Sequence, residues 1–287
     1  MSTFSILIDG TDVDMEPGQT ILTGCDSQGL DTPTLCYGDT LTPKNACRVC
    51  VVELEGSRVL VPACSRKAEP GMVVHTESAR VQHSRKMVLE LLGSSVDMSQ
   101  TDHFGEWTNR YDAQPERLVD ADSRTRINEE PKLDNDLYGR DYSKCILCYK
   151  CVDACGQQWQ NSFAISVAGR GFLSRISTEF DAPLTDSACV YCGNCVAVCP
   201  TGALTPMTEY HMRKTGTFAP ERQTETTTVC PYCGVGCNLT LHVQDNEIFK
   251  VTSPTDHSVT HGNLCIKGRF GFSHVSINRR GNLPSVE

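Results

Sequence analysis

Cysteines at short, regular intervals are the residues of this chain that could do chemistry. The chain has 287 residues, and 17 of them are cysteine. One run, Cys-x2-Cys-x2-Cys-x3-Cys, occurs twice: first as Cys145, Cys148, Cys151 and Cys155, then as Cys189, Cys192, Cys195 and Cys199. Thiolates at this spacing hold iron–sulfur clusters, whose chemistry is electron transfer. Zinc sites also use Cys-x2-Cys pairs, but zinc has no use for a third cysteine at the same interval in both runs.

The doubled run resembles that of bacterial two-cluster ferredoxins, in which the fourth cysteine of each run binds the cluster of the other run. This resemblance implies two [4Fe–4S] clusters with crossed ligands. The first would be held by Cys145, Cys148, Cys151 and Cys199. The second would be held by Cys189, Cys192, Cys195 and Cys155.

Composition and charge exclude several function classes. Hydrophobic residues are 39% and aromatic residues 7% of the chain, so we expect clusters to replace part of a large apolar core. The formal charge of −9 argues against nucleic acid as a partner. No apolar stretch is long enough to predict a transmembrane helix, and residues 1–10 read as a strand rather than an export signal. We therefore expect a cytoplasmic protein without a disulfide framework.

A third cysteine group follows a predicted hairpin and helix. Residues 3–15 alternate apolar and polar around the turn signal Asp9-Gly10, and Thr20 is predicted to cap a helix that runs to about Gly29. Cys25 lies on this helix outside every group, which predicts a buried structural thiol. The group itself comprises Cys36, Cys47, Cys50 and Cys64.

The spacing of this third group and the residues around its cysteines resemble those of a [2Fe–2S] β-grasp domain. Such a domain opens the large iron–sulfur subunit of respiratory complex I, some iron-only hydrogenases and NAD-linked formate dehydrogenases. The resemblance implies one [2Fe–2S] cluster on the four thiolates, with a zinc site as the alternative.

Those families carry a further cluster, on one histidine and three cysteines, that this chain is predicted to lack. A helix is predicted over residues 78–92, but no cysteine lies between Cys64 and Cys145. We interpret His83 and His103 as surface or capping residues. Charged residues make up 14 of the 32 positions in 109–140, which predicts a connector with little regular structure.

Later segments are predicted from turn and composition signals. Residues 162–167 and 171–177 are predicted to form a β-hairpin, and the Thr-rich residues 215–228 are predicted to be a linker.

The last group comprises Cys230, Cys233, Cys237 and Cys265, with Lys267 two residues beyond. The sequence Cys265-Ile266-Lys267-Gly268-Arg269-Phe270 and the cysteine spacing resemble the [4Fe–4S] segment that begins the catalytic part of molybdenum or tungsten bis-pterin enzymes, formate dehydrogenases above all. The resemblance implies that Lys267 lies between the cluster and the pterin, as an electron-relay and cofactor-binding residue. The alternative for Lys267 is a solvated surface cation.

We therefore predict an α+β chain in successive segments. They are a [2Fe–2S] β-grasp ferredoxin domain (1–77), a helix and connector with the degenerate cluster region (78–140), a two-[4Fe–4S] ferredoxin domain (141–210), a linker (211–226) and a small β-rich [4Fe–4S] segment of the bis-pterin type (227–287).

The order of these modules resembles the N-terminal third of a cytoplasmic formate dehydrogenase catalytic subunit. The resemblance implies one [2Fe–2S] and three [4Fe–4S] clusters that relay electrons between a molybdenum or tungsten bis-pterin site and a partner subunit linked to flavin and NAD, to ferredoxin or to quinone. The bis-pterin site would need a further domain, so we do not expect these residues alone to oxidise formate. Two alternatives are a free-standing electron-transfer adaptor in a larger complex and a zinc-stabilised interaction protein.

Overall fold

Two strands joined by a tight turn begin the chain, as predicted. Strands β1 (Phe4–Ile8) and β2 (Thr11–Met15) pair antiparallel. Asp9 and Gly10 between them have φ values of 48° and 85°. Two-residue hairpin turns of this kind require positive φ at both positions, which Gly adopts freely and Asp tolerates.

The computed structural model describes residues 3–119 and 130–275. These residues divide into two compact units. The first consists of residues 3–38, 42–119 and 143–149, and the second of residues 39–41, 130–142 and 150–275. Residues 120–129 of the predicted connector and residues 276–287 of the predicted last segment lie outside the described residues.

The first unit contains a five-stranded sheet with one helix on it. The remaining strands are β3 (Val51–Leu54), β4 (Val61–Pro62) and β5 (Val73–His75), and the strand order is β2-β1-β5-β3-β4. Strand β1 pairs parallel with β5, and the other pairs are antiparallel. Helix α1 (Ile21–Ser27) begins after Thr20, whose hydroxyl accepts a hydrogen bond from the Thr23 amide at 3.3 Å. The predicted helix cap is therefore confirmed.

Alternating strand residues and one face of α1 form the core of this sheet. Its buried side chains include Ile6, Ile8, Val13, Met15, Ile21, Leu22, Cys25, Val52 and Val74. Gly24 allows α1 to approach the sheet, because a Cβ atom there would lie 2.9 Å from Ile8 Cδ1 and 3.1 Å from Met15 Sδ. Alternation in the strands thus places every second side chain against the helix.

Helix α2 (Ala79–Ser95) is longer than the predicted helix and is capped by Ser78, which accepts from the Val81 amide at 3.3 Å. The region predicted as an irregular connector is partly ordered: it includes the end of α3 (Phe104–Arg110) and a 3₁₀ turn at Pro115–Leu118. This turn packs against α2, where a Cβ atom on Gly93 would lie 2.7 Å from Pro115. Polar composition therefore did not prevent these residues from packing on a neighbour.

The second unit begins with two small sheets and two short helices. Helices α4 (Lys150–Cys155) and α5 (Asn194–Ala197) each begin inside a cysteine run. Strand β6 (Tyr138–Arg140) pairs with β9 (Leu204–Pro206), although β6 lies in the predicted connector. The predicted hairpin forms between β7 (Ser166–Ala168) and β8 (Arg175–Ser177), with strands shorter than predicted because a 3₁₀ turn occupies Gly171–Leu173.

A three-stranded sheet follows helix α6 (Met207–Lys214). The strands are β10 (Gln223–Val229), β11 (Asn238–Gln244) and β12 (Glu247–Thr252), in that order, and the short helix α7 (Ile266–Phe270) comes after them. Residues 223–228 of the Thr-rich segment predicted as a linker instead belong to β10, which pairs with β11 over seven residues. Within the part of the chain that the structure describes, no helix is long and apolar enough to cross a bilayer.

Candidate iron–sulfur sites

The fold brings the third cysteine group together beside the five-stranded sheet. Cys36 Sγ and Cys47 Sγ lie 3.3 Å apart, and each amide of this pair donates to the sulfur of the other, at 3.4 and 3.5 Å. Cys64 interacts through hydrogen bonds with both Cys36 and Cys50. All four side chains are at most 9% exposed. The four sulfurs therefore form one continuous, nearly dry donor set.

These contacts give the four thiols different pKa values. Hydrogen bonds from Cys47 and Cys64 lower the pKa of Cys36, and a hydrogen bond with Cys64 lowers the pKa of Cys50. The same bonds raise the pKa of Cys47 and Cys64. Two of the four thiols are thus held toward the thiolate form, which is the form that binds metal.

Cys25 lies on the buried face of α1, in the core of the five-stranded sheet. It is fully buried, and burial raises the pKa of its thiol to about 11. A thiol that stays neutral in an apolar core behaves as a small hydrophobic side chain. The structure therefore places Cys25 where a structural thiol was predicted.

The two ferredoxin runs share one backbone path around their cysteines. Leu147 and Tyr191 occupy the same position in the two runs, with φ values of 54° and 55°. Their amides donate to Cys145 Sγ and Cys189 Sγ respectively, each at 3.4 Å. The next matched pair, Tyr149 and Gly193, has φ values of 67° and 70°. These repeated residues with left-handed backbone conformation turn each loop around its cysteine side chains.

One crossed set predicted from these runs lies wholly within the second unit. Burial, and then the charges of Cys192, Cys155 and Cys189, raise the pKa of Cys195, so the four sulfurs are electrostatic neighbours. The other crossed set has members in both units: Cys145 and Cys148 in the first, Cys151 and Cys199 in the second. Its grouping stays a prediction.

Tyr138 is a functional candidate that the sequence did not reveal. Its hydroxyl lies 3.3 Å from Cys189 Sγ, and its side chain is 2% exposed. Burial and the charges of Cys195, Cys189 and Cys192 raise its pKa, so the hydroxyl keeps its proton and can donate to a thiolate sulfur. Tyr138 lies in β6, within the segment predicted as a connector, where no local signal pointed to it.

We predict that Tyr138→Phe lowers the reduction potential of the cluster on the Cys189 set. A donated hydrogen bond stabilises the more negative, reduced cluster. If that bond is about 1 kcal/mol stronger in the reduced state, its loss shifts a one-electron potential by about 40 mV. A redox titration followed by electron paramagnetic resonance (EPR) measures the shift, with Tyr210→Phe on α6 as the control. Identical potentials in the wild type and Tyr138→Phe would contradict this role.

The four cysteines of the last group come together between the three-stranded sheet and α7. The Cys230 amide donates to the Cys237 carbonyl at 2.8 Å. Burial, then the charges of Cys230, Cys233 and Cys265, raise the pKa of Cys237, which places the four sulfurs near one another. Cys233 and Cys265 are exposed, and so is Lys267 on α7. The predicted place of Lys267 beside a pterin stays a prediction.

Arg269, also on α7, was not singled out by the sequence. Its side chain is only 3% exposed, and burial lowers its pKa to about 10. The guanidinium therefore remains positively charged near neutral pH, inside a region rich in cysteine.

The cysteine sets fit iron–sulfur clusters by the chemistry of their donors. Each set supplies four thiol groups and no carboxylate or imidazole, which is the ligand class of [2Fe–2S] and [4Fe–4S] clusters. Among residues 3–119 and 130–275, no group of three or more His, Cys, Asp or Glu side chains is arranged to hold a single metal ion. His83 and His103, near the degenerate region, are both exposed, and His103 pairs with Glu106 at 2.9 Å.

Three domain families match the chain in the order that the cysteine groups predicted. Residues 2–79 match a 2Fe-2S iron-sulfur cluster binding domain, residues 144–203 a 4Fe-4S dicluster domain, and residues 223–276 the molybdopterin oxidoreductase Fe4S4 domain. The chain matches the N-terminal iron–sulfur portion of bis-pterin oxidoreductases. The predicted resemblance and the α+β fold class of this iron–sulfur portion are confirmed.

Whole-chain comparisons agree with this assignment. The chain is 32% identical to an NADH-quinone oxidoreductase component of Rhizobium meliloti, over 98% of the chain and 32% of that protein. It is 33% identical to the alpha component of an NADPH-Fe(3+) oxidoreductase of Geobacter sulfurreducens, over 99% of the chain and 33% of that protein. A Staphylococcus haemolyticus protein, provisionally named a formate dehydrogenase, is 28% identical over 98% of the chain and 32% of its own length. The iron–sulfur portion thus spans about a third of these relatives.

The fold also resembles a solved structure. A chain in the crystal structure of an NAD+-reducing [NiFe]-hydrogenase in the H2-reduced state superposes with a TM-score of 0.60. The match covers 71% of this chain and 88% of that chain at 23% identity. At this identity, the similarity establishes the fold alone.

Proposed function

We propose that this iron–sulfur portion carries electrons one at a time between a bis-pterin molybdenum or tungsten site and a redox partner subunit. The observation that supports it best is the convergence of separate cysteines into four-sulfur sets within consecutive iron–sulfur domains. When bound, the clusters would supply one-electron transfer.

Four sets of thiolates would hold one [2Fe–2S] and three [4Fe–4S] clusters. The [2Fe–2S] ligands would be Cys36, Cys47, Cys50 and Cys64. The [4Fe–4S] ligands would be Cys145, Cys148, Cys151 and Cys199; Cys189, Cys192, Cys195 and Cys155; and Cys230, Cys233, Cys237 and Cys265.

In the first unit, the chain's own residues would exclude water from the predicted clusters, and backbone amides elsewhere would tune reduction potentials. In the first unit, a single apolar cluster contains Cys36 and Cys47 of one set and Cys148 of another, with Leu35 and Trp107 among its buried members. Excluding water lowers the energy needed to rearrange solvent when a site changes charge. Amide donors to sulfur, such as that of Tyr191, stabilise the reduced state.

Formate is the substrate that we propose for the complete enzyme, with Lys267 between the last cluster and the pterin. Exposure of Lys267 and of two sulfurs in its set is consistent with a further domain covering them. Relatives provisionally named formate dehydrogenases match 98% of the chain. Within a reducing compartment, the cytoplasm, all these thiolates would stay available to iron.

A second candidate is an adaptor that exchanges electrons with a nicotinamide-linked subunit of another oxidoreductase. It is favoured by the higher identity of 32% and 33% to relatives named for NADH and NADPH, compared with 28% for the formate dehydrogenase relative.

One experiment separates the two candidates. The gene product that includes this chain is purified anaerobically with its co-purifying subunits, and EPR follows cluster reduction after adding formate, NADH or NADPH. Reduction by formate supports the first candidate, and reduction by NADH or NADPH without any response to formate supports the second. If the clusters are reduced by dithionite but exchange no electrons with formate, NADH or NADPH, both candidates are contradicted.

A further inference from the structure

Arg269 connects two cysteine sets that belong to different domains of the second unit. Its Nε donates to the carbonyl of Cys192 at 3.0 Å, and its own amide donates to the carbonyl of Cys265 at 3.1 Å. One residue therefore touches the backbone of a ligand residue in the ferredoxin run and of a ligand residue in the C-terminal group.

Asn194 completes the contact between these two segments. Its Oδ1 accepts from Arg269 Nη2 at 3.0 Å and from the Leu264 amide at 3.1 Å. Asn194 lies between Cys192 and Cys195, and Leu264 directly precedes Cys265. The side chain of Asn194 is 3% exposed, so water does not compete for these bonds.

The approach of the two segments is close enough to require glycine at position 193. A Cβ atom there would lie 2.4 Å from Arg269 Cδ and 2.7 Å from Phe270 Cζ, and Gly193 has a φ of 70°. Phe270 in turn stacks on Tyr138, with ring centroids 6.0 Å apart and planes 17° apart. The ferredoxin run and the C-terminal segment therefore pack closely at this contact.

The charge of Arg269 acts on both sulfur sets. Its guanidinium interacts electrostatically with Cys192 and Cys195 on one side and with Cys265 on the other. A buried positive charge stabilises whichever neighbouring site gains an electron.

We propose that Arg269 is a positioning residue that fixes the C-terminal cysteine set against the Cys189–Cys195 loop and raises the reduction potentials of both clusters. The inference rests on the proposed function, because it requires both sets to hold clusters. It adds a residue that couples the two domains and is not itself a ligand.

The test compares Arg269→Gln and Arg269→Lys with the wild type in the anaerobically purified protein. Arg222→Gln is the matched control, because Arg222 lies in the same unit but is half exposed and pairs with Asp245. EPR redox titration gives the potential of each cluster, and the spin–spin broadening between reduced clusters reports their separation.

Arg269→Gln is expected to lower both potentials and to alter the spin–spin broadening, whereas Arg222→Gln changes neither. Arg269→Lys keeps the charge but loses the guanidinium bonds to Asn194 Oδ1 and the Cys192 carbonyl, so the broadening should change more than the potentials. Unchanged potentials and broadening in Arg269→Gln would overturn the proposal.

A second variant keeps the test decisive if Arg269→Gln loses iron. Asn194→Asp retains the Oδ1 acceptor of both hydrogen bonds and adds a negative charge against Arg269, so both potentials should fall while iron content stays at the wild-type value. Unchanged potentials in Asn194→Asp would overturn the electrostatic part. A wild-type protein without iron would instead contradict the proposed function itself.

Discussion

Replacing Cys36 by alanine is expected to remove the [2Fe–2S] cluster and leave the other clusters in place. Cys36 Sγ is in contact with Cys47 Sγ and interacts with Cys64, so its loss breaks the donor set at its centre. Total iron should fall from about 14 to about 12 atoms per chain, with an equal loss of sulfide. Iron and sulfide analysis measures the change, and EPR should show the loss of one signal.

Cys25→Ala provides the matched control for this variant. Cys25 is as buried as Cys36 and lies in the same unit, but it belongs to no donor set. It should keep all the iron and cost about 1 kcal/mol of stability, because a small core thiol is replaced by a methyl group. Retention of the [2Fe–2S] signal in Cys36→Ala, or its loss in Cys25→Ala, would show that the ligand assignment is wrong.

Arg85→Met is expected to cause the largest loss of stability among single substitutions away from the cysteines. Arg85 is fully buried on α2 and donates to Glu77 at 2.9 Å, to the Tyr111 hydroxyl at 2.6 Å and to the Val51 carbonyl at 3.0 Å. Val51 begins β3 and directly follows Cys50, so Arg85 connects the helix to the strand next to a predicted ligand.

Methionine has a similar length but leaves the buried Val51 carbonyl without this donor and ends the ion pair with Glu77. The free energy of unfolding should fall by about 3 kcal/mol, and the midpoint of thermal unfolding by about 6–12 °C. Anaerobic circular dichroism measures the midpoint. Arg80→Met is the control: Arg80 lies on the same helix and pairs with Glu53, but it is 50% exposed and should contribute less than about 1 kcal/mol. Equal midpoints for the two variants would contradict the role given to Arg85.

The cysteine groups and the order of domains could be predicted because their signals are local. A loop that wraps a cluster needs ligands at fixed short intervals, and those intervals are visible in the sequence around Cys145 and Cys189. The β1–β2 hairpin and the start of α1 were also predictable, since Asp9-Gly10 and Thr20 determine turn and cap geometry by themselves.

Residues that act across the fold could not be predicted in the same way. Strand β6 has only three residues, and its partner β9 lies more than 60 residues later, so neither strand has a recognisable alternation. Tyr138 became a candidate only once that pairing placed its hydroxyl beside Cys189. A charged residue such as Arg269 or Arg85 is expected on the surface. Both side chains are nevertheless buried, and each donates a hydrogen bond to a backbone carbonyl far away in the sequence.

The most direct test of the account is the iron, acid-labile sulfide and zinc content of the anaerobically purified protein, measured together with EPR of the dithionite-reduced sample. We predict about 14 iron and about 14 sulfide per chain, no stoichiometric zinc, and the signals of one [2Fe–2S] and three [4Fe–4S] clusters. A colourless protein that holds zinc on these cysteines, or that holds no metal after anaerobic reconstitution, would contradict the electron-transfer role.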